Sequence, residues 1–419
     1  MIPMMRSQTA ATLPQRTFAR WPLALLTALA LLAGCGGNSE PAPLAVEPPV
    51  ILPAPPLEPP IAEVTGPGEL KSATLMTTLS LQDIRDGIAS GSGKGLQADP
   101  VYPVQAWRLT YVTTDGYGNE VVASGLVSVP VKPAGALSPV VSYQHATIYR
   151  NADAPTANLA ANEPPQLLAS LGFIVVASDY VGYGESRSSQ HPYLLAAPTA
   201  AAVRDLLTAS RIWRQRKALA GNNQLFLVGY SEGGYATMAT HQALQAGGGG
   251  PHLPQLVASF PGAGPYDMNV TLDALLDRVR DENRVVAALI SPGLLRYLGS
   301  TVRNEVRRLL VRLLIPDDAD VVFQTSMIDW FLADDTGRID REASVHLWAP
   351  VIPVRLYHGR DDETVPYAAS VSALQAMQAR GAPMVSLTDC PAVPASHLGC
   401  VKPYFTAVLQ QLAVLATDL

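Results

Sequence analysis

Leu225-Phe226-Leu227-Val228-Gly229-Tyr230-Ser231-Glu232-Gly233-Gly234-Tyr235 is the stretch on which the fold turns. An apolar run leads into Gly-x-Ser-x-Gly, and residues of helical composition continue to Gln245. A strand running straight into a helix forces a sharp turn that strains the serine backbone and exposes its hydroxyl. Nearby glycines permit the close packing this needs. The new helix directs its first N–H groups toward negative charge developing beside the serine. The five letters alone are a weak signal; between an apolar strand and a helix they are a strong one.

A serine hydroxyl is a poor nucleophile near neutral pH and needs a base, which in turn needs an orienting acid. Around such a turn the chain order is Ser, Asp or Glu, His. Asp362 lies in His358-Gly359-Arg360-Asp361-Asp362-Glu363-Thr364-Val365-Pro366, after the strand expected over 353–358. His397 lies in Ala395-Ser396-His397-Leu398-Gly399, after the last expected strand. Both positions are strand-end loops, where sheets of this kind place their ligands. Asp361 and Glu363 are the rival acids, read as solvated loop charges. His358 is expected to cap a strand end, and His145 to belong to the loop that completes an oxyanion hole. His191, His241, His252 and His346 show no metal spacing and read as structural or exposed. No metal and no cofactor are expected.

Working outward, β-like runs alternate with helical ones. Val104–Thr113 and Glu120–Val129 read as a hairpin across Asp115-Gly116-Tyr117-Gly118-Asn119. Strands are expected over 139–144, 173–179, 225–229, 256–260, 353–358 and 384–388, and helices over 166–171, 197–218 and 235–245. Continuous apolar strands between helices predict a mostly parallel sheet covered on both faces. Residues 266 to about 345 lack strand signals and read as a helical cap. There Val306, Leu309, Leu310, Leu313 and Leu314 keep one apolar helical face, with Arg303, Arg307, Arg308 and Arg312 on others. Asp179-Tyr180-Val181-Gly182-Tyr183-Gly184 fits a tight structural bend. Gly247–Gly250 fits a flexible loop and not a phosphate cradle, because no Lys-Ser/Thr follows.

These pieces together resemble the secretory lipase family of the Candida antarctica lipase A type and its bacterial α/β-hydrolase relatives. Leu171-Gly172-Phe173-Ile174-Val175-Val176-Ala177-Ser178-Asp179, Gly229-Tyr230-Ser231, Ala236-Thr237, Asp362-Glu363 with Val365-Pro366-Tyr367, and His397-Leu398 carry the likeness. They run in order from roughly 140 to 410. The resemblance implies an α/β-hydrolase fold with a helical cap. It implies Ser231 as nucleophile, His397 as general base and acid, Asp362 as orienter, and carboxylic esters, acylglycerols included, as substrates. Glu232 is expected to give one oxyanion N–H. The other is expected from His145-Ala146-Thr147, at Thr147, since Ala146 stands where relatives commonly have glycine and alanine does not freely adopt positive φ.

The ends of the chain read differently. Trp21–Ala33 is an apolar run behind Arg6, Arg16 and Arg20, of signal-peptide type and short for a bilayer span. It ends in Leu32-Ala33-Gly34-Cys35, which resembles the bacterial lipobox; the resemblance makes Cys35 the lipidated first residue of the mature chain. Gly36 after it favours the outer membrane, so the expected location is the bacterial cell envelope, lipid-anchored. Residues 36–68 hold 10 of the 36 prolines and fit an extended tether. At about 3.1 Å per residue it would reach roughly 100 Å. Residues 69–419 are then the hydrolase domain. Cys390 and Cys400 flank His397, and in an oxidising setting they are expected to bond and hold the histidine loop in register.

The 419 residues carry a net charge of −6, with 48% hydrophobic and 15% charged residues. Mean hydropathy is +0.16 and the pI about 5.7. That excludes disorder throughout and argues against a nucleic-acid partner. The function expected is a serine esterase or lipase acting through an acyl-enzyme. Two other readings stay open: a serine peptidase of prolyl-oligopeptidase type, and a catalytically silent surface binding protein. The former usually carries an N-terminal propeller of several hundred residues, against the 36–100 stretch here.

Overall fold

The computed structural model describes residues 57–91, 98–248, 250–282 and 294–419. They belong to one compact unit, Ala54–Leu419. Cys35, with the expected signal segment and most of the proline-rich stretch, lies outside the described residues. The strands are β1 (Leu70–Leu79), β2 (Val104–Thr114), β3 (Glu120–Pro130), β4 (Ser138–Gln144), β5 (Ile174–Ser178), β6 (Gly221–Tyr230), β7 (Leu256–Gly262), β8 (Val354–His358) and β9 (Val385–Asp389). They form one sheet in the order β1-β2-β3-β5-β4-β6-β7-β8-β9. Pairing is antiparallel from β1 to β5 and parallel from β5 onward.

The helices are α1 (Leu81–Ala89), α2 (Pro164–Ser170), α3 (Ala196–Arg216), α4 (Glu232–Ala243), α5 (Met268–Glu282), α6 (Ser300–Leu314), α7 (Ser326–Leu332), α8 (Thr336–Glu342), α9 (Tyr367–Ala379) and α10 (Val401–Leu415). Every residue of β4 and β5 is buried, which requires cover on both sheet faces. The two-residue period divides that cover. Val141, Val175, Phe226 and Val228 pack with Leu167 and Leu168 of α2 and Phe405 and Val408 of α10. Val140, Ile174, Leu225 and Leu227 pack with Val203, Leu206 and Leu207 of α3.

Among the described residues, 266–345 hold the helices α5 to α8 and no strand. Val306 and Leu310 are fully buried against Leu272, Leu276, Met327 and Ile328. The cap arginines are engaged within the cap: Arg307 with Asp329 at 2.6 Å, Arg308 with Glu305 at 2.6 Å and Arg312 with Asp317 at 3.1 Å.

The proline-rich stretch expected to run to residue 68 is, from residue 57, laid along α3. Glu58 sits between two buried guanidinium groups, 2.8 Å from Arg214 Nη2 and 3.3 Å from Arg211 Nε. Burial pushes its carboxyl up, but Arg214 and Arg211 outweigh this and hold it below the usual range. His252 lies beside them, its Nε2 3.0 Å from Thr208 Oγ1. Burial first, then the Arg211 charge, push the His252 pKa from 6.5 down to about 3. Between those pH values the unfolded chain binds a proton at His252 that the folded chain refuses, so this group's contribution to stability is lost as pH falls. His252→Gln should therefore flatten the acid side of the stability profile, by up to about 1.4 kcal/mol per pH unit. Urea denaturation of both proteins at pH 6.5, 5.5 and 4.5 reads the slope; identical slopes would contradict it.

The topology fixes where a ligand sits. From β4 the chain passes to β5 on one side, and later to β6 on the other. The crevice outside the carboxyl ends of β4 and β6 is the switch point of the sheet. Gln144 and Gly229 are paired in register there, so the loop after Gln144 and the turn after Tyr230 emerge side by side.

Candidate active site

β6 ends at Tyr230 and α4 begins at Glu232, leaving Ser231 alone between them at φ 60°, ψ −123°. That conformation is strained for any residue with a Cβ. It is held by Ser231 N–H donating to Gly262 O at 2.8 Å and Tyr235 N–H donating to Ser231 O at 3.0 Å. The flanking glycines are required by contact. A Cβ on Gly229 would stand 2.2 Å from Gly233 O, and one on Gly233 would stand 2.1 Å from Gln144 O.

The structure brings Ser231, His397 and Asp362 together. His397 Nε2 lies 2.9 Å from Ser231 Oγ and His397 Nδ1 lies 2.6 Å from Asp362 Oδ2. A carboxylate only accepts, so Nδ1 carries the hydrogen and Nε2 is left to accept the serine proton. Asp362 Oδ1 accepts from the N–H groups of Thr364 and Val365, both at 2.9 Å. Burial pushes the Asp362 carboxyl up. The hydrogen bonds of His358 and His397 and the charge of His397 outweigh it, and hold the group well below the usual carboxylate range.

His358 closes the end of β8, and it also reaches Asp362. Its Nε2 is 3.2 Å from Asp362 Oδ2 and 3.0 Å from Val365 O, and its Nδ1 is 2.6 Å from Ser370 Oγ. It is a second donor, beside His397, to the Asp362 carboxylate. Asp361, read as solvated, is exposed but fastens the histidine loop: its Oδ2 accepts from Ala395 N–H at 2.8 Å. Glu363 is exposed. Tyr230 O–H donates to His397 O at 2.8 Å.

Cys390 and Cys400 form a disulfide across ten residues of sequence that enclose His397. Closing so short a loop stabilises by roughly 3 kcal/mol through the unfolded chain. The double substitution Cys390→Ser, Cys400→Ser should lower unfolding free energy by about that amount in urea. An unchanged midpoint would contradict this account of the bridge.

Thr147 and Glu232 border the same cavity as Ser231 and His397, with a volume of about 320 Å³. Cap residues Met268, Leu272, Leu275, Leu313, Leu314 and Met327 supply apolar wall. Glu232 N–H opens α4 and has no acceptor within the helix. The loop carrying Thr147 is fixed by phenols: Tyr180 O–H donates to His145 O at 3.2 Å and Tyr183 O–H to Ile148 O at 2.6 Å. Ala146 is not among the residues with positive φ, so the loop is built without the glycine conformation. The His145 ring packs on Tyr180 at 4.1 Å. Asp179 accepts from Ser124 Oγ at 2.6 Å and Thr156 N–H at 2.9 Å, a structural anchor for the bend that follows.

All four histidines read as structural or exposed are buried. His241 and His346 lie against Ser259 Oγ at 2.8 Å and Tyr266 O at 3.2 Å. His191 is different: its Nε2 stands 2.7 Å from Oε1 of Glu232, the residue after Ser231. The glutamate in Gly-Tyr-Ser-Glu-Gly was the available signal, since an acid there cannot stay buried without a partner.

Residues 160–246, which include the turn at Ser231, match the profile of the prolyl oligopeptidase family. No curated protein matches the chain. Among solved structures, a Legionella pneumophila protein is 22% identical with a TM-score of 0.65, over 83% of this chain and 98% of its own. The rice cell wall degrading esterase LipA of Xanthomonas oryzae is 24% identical with a TM-score of 0.63, over 84% and 99%. Candida antarctica lipase A in its closed state is 19% identical with a TM-score of 0.52, over 82% and 83%. These likenesses, with the sheet order above, show that the chain has the α/β-hydrolase fold.

Proposed function

We propose that the protein is a serine hydrolase of carboxylic esters. The observation that carries the reading is the hydrogen-bonded line from Ser231 through His397 to Asp362, opening on an apolar cavity beneath a helical cap. Ser231 Oγ attacks the ester carbonyl as His397 Nε2 takes its proton. The tetrahedral oxyanion is met by the N–H groups of Glu232 and Thr147. His397 returns the proton to the leaving alkoxide, and an acyl-enzyme remains. Water, deprotonated by His397, attacks the acyl carbon; a second tetrahedral intermediate collapses to release the acid and restore Ser231. The apolar cavity favours an acyl or alkyl group over a charged one.

A fluorophosphonate probe and a p-nitrophenyl ester series from acetyl to long-chain acyl test this. Labelling of Ser231 and turnover of at least one chain length are expected; absence of both would overturn it. A jump in rate above the aggregation point of long-chain esters would mark a lipase, and activity confined to short soluble esters an esterase. The match to the prolyl oligopeptidase family over residues 160–246 favours a second reading, cleavage of peptide bonds. Peptide p-nitroanilides in the same panel separate the two. We also propose that Cys35 carries a lipid that anchors the enzyme in a bacterial envelope; the support is the sequence around it. Loss of palmitate labelling on Cys35→Ala would be the sign.

A further inference from the structure

We propose that His191 is a positioning residue for the oxyanion side of this site. It shares the one proton that cancels the buried Glu232 carboxylate, and it ties the cap to the nucleophile turn. The proposal rests on the hydrolase reading above.

The proton follows from donors and acceptors. His191 Nδ1 lies 2.9 Å from Val181 O. A carbonyl only accepts, so Nδ1 carries a hydrogen. On the other side of the ring, Nε2 faces Glu232 Oε1 at 2.7 Å, with both side chains 2% exposed. Two lone pairs at that distance repel. A proton therefore lies on the line between them, as imidazolium with carboxylate or imidazole with carboxylic acid. In either form the pair has no net charge. Glu232 Oε2 has no partner among the described residues, so His191 is what neutralises this carboxyl.

The place gives that proton its consequence. Glu232 hangs from the helix position whose N–H is expected to meet the oxyanion. A bare carboxylate there would oppose charge growing on the substrate oxygen, in surroundings that screen little. His191 also joins separate parts of the chain. Its N–H donates to Val322 O and its carbonyl accepts from Gln324 N–H, both at 2.8 Å. Phe323 meets the ring edge-on at 5.3 Å. Residues 322–324 lie in the cap, between α6 and α7. On the third side, a Cβ at Gly182 would stand 2.7 Å from His191 Cα, so the bend after β5 is pressed against it. The cap, the bend and the nucleophile turn thus meet at one imidazole.

The test reads kcat per site titrated by a fluorophosphonate probe, so that misfolded molecules are not counted. His191→Phe keeps a ring of similar size and removes the proton; kcat should fall about 10²-fold, with KM changing far less. The double variant H191F/E232M removes the charge with its partner and should recover most of that loss, because deleting both members of a buried pair costs much less than deleting one. An H191F enzyme with full kcat per site would overturn the proposal, as would a double variant no better than H191F. If H191F does not fold, H191Q with H191Q/E232Q is judged by the same two criteria. Wild-type labelling is read first. Its failure removes the hydrolase reading and this proposal with it, whereas normal labelling with full kcat in H191F removes this proposal alone.

Discussion

Replacing Ser231 with alanine is expected to lower kcat for ester hydrolysis by about 10⁶-fold while leaving the protein folded. The chemical loss is complete, since alanine has no oxygen to form the acyl-enzyme. What persists is the slower attack of water, helped by the remaining N–H groups and His397. The fold should survive because the strain at φ 60° belongs to the backbone and any Cβ. Alanine meets it as serine does, and the bonds holding the turn, from Ser231 N–H to Gly262 O and from Tyr235 N–H to Ser231 O, are main-chain. Circular dichroism and a thermal midpoint close to wild type check the folding. Ester turnover within tenfold of wild type would sink the nucleophile assignment.

Asp362→Asn should cost about 10⁴-fold in kcat with little change in KM. The environment of the carboxyl decides which way the amide would point. Oδ1 accepts two main-chain N–H groups, from Thr364 and Val365. The asparagine oxygen is therefore held on that side, and its NH2 group takes the place of Oδ2. There it would confront His397 Nδ1 and His358 Nε2, both donors in the native protein. His397 must then accept at Nδ1 and carry its hydrogen on Nε2, facing Ser231, where it can no longer take the serine proton. A loss below tenfold would show that Asp362 does not set the tautomer.

The parts legible in the sequence were those whose cause is local. An apolar strand running into Gly-x-Ser-x-Gly leaves few ways to fold, and chain order then narrows the acid and the base to particular strand-end loops. Ser231, Asp362 and His397, named on that ground, are joined in one hydrogen-bonded line. The cysteine pair was legible because the two residues are close in sequence around a loop already singled out. What escaped depends on distant partners. His191 gains its meaning from Glu232, 41 residues away, and His358 from an aspartate already assigned to another histidine.

β1 escaped for a different reason. It is an edge strand with no buried residue, and irregularities between Leu70 and Ser72 and between Leu75 and Thr77 break the two-residue alternation. α1 did carry a signal, Ser80 three residues before Asp83, which the structure uses as a reciprocal cap. α4 is expected from Tyr235, and Gly233 and Gly234 ahead of it are poor helix formers. The helix begins at Glu232 instead. Close approach of those glycines to the carbonyls of Gln144 and Gly262 outweighs their propensity.

The clamp on Glu58 has a mechanical side. A pull on the chain ahead of residue 57 would enter the domain at Arg211 and Arg214, near the end of a 21-residue helix buried along much of its length. Without the contacts to α3, which include Arg216 with Glu63 at 2.6 Å, the same force would reach β1 first, an edge strand that can be peeled one hydrogen bond at a time. Diverting the load onto α3 means that charged contacts must shear together before the sheet feels the force, so the edge is shielded from tension by the segment that leads into it.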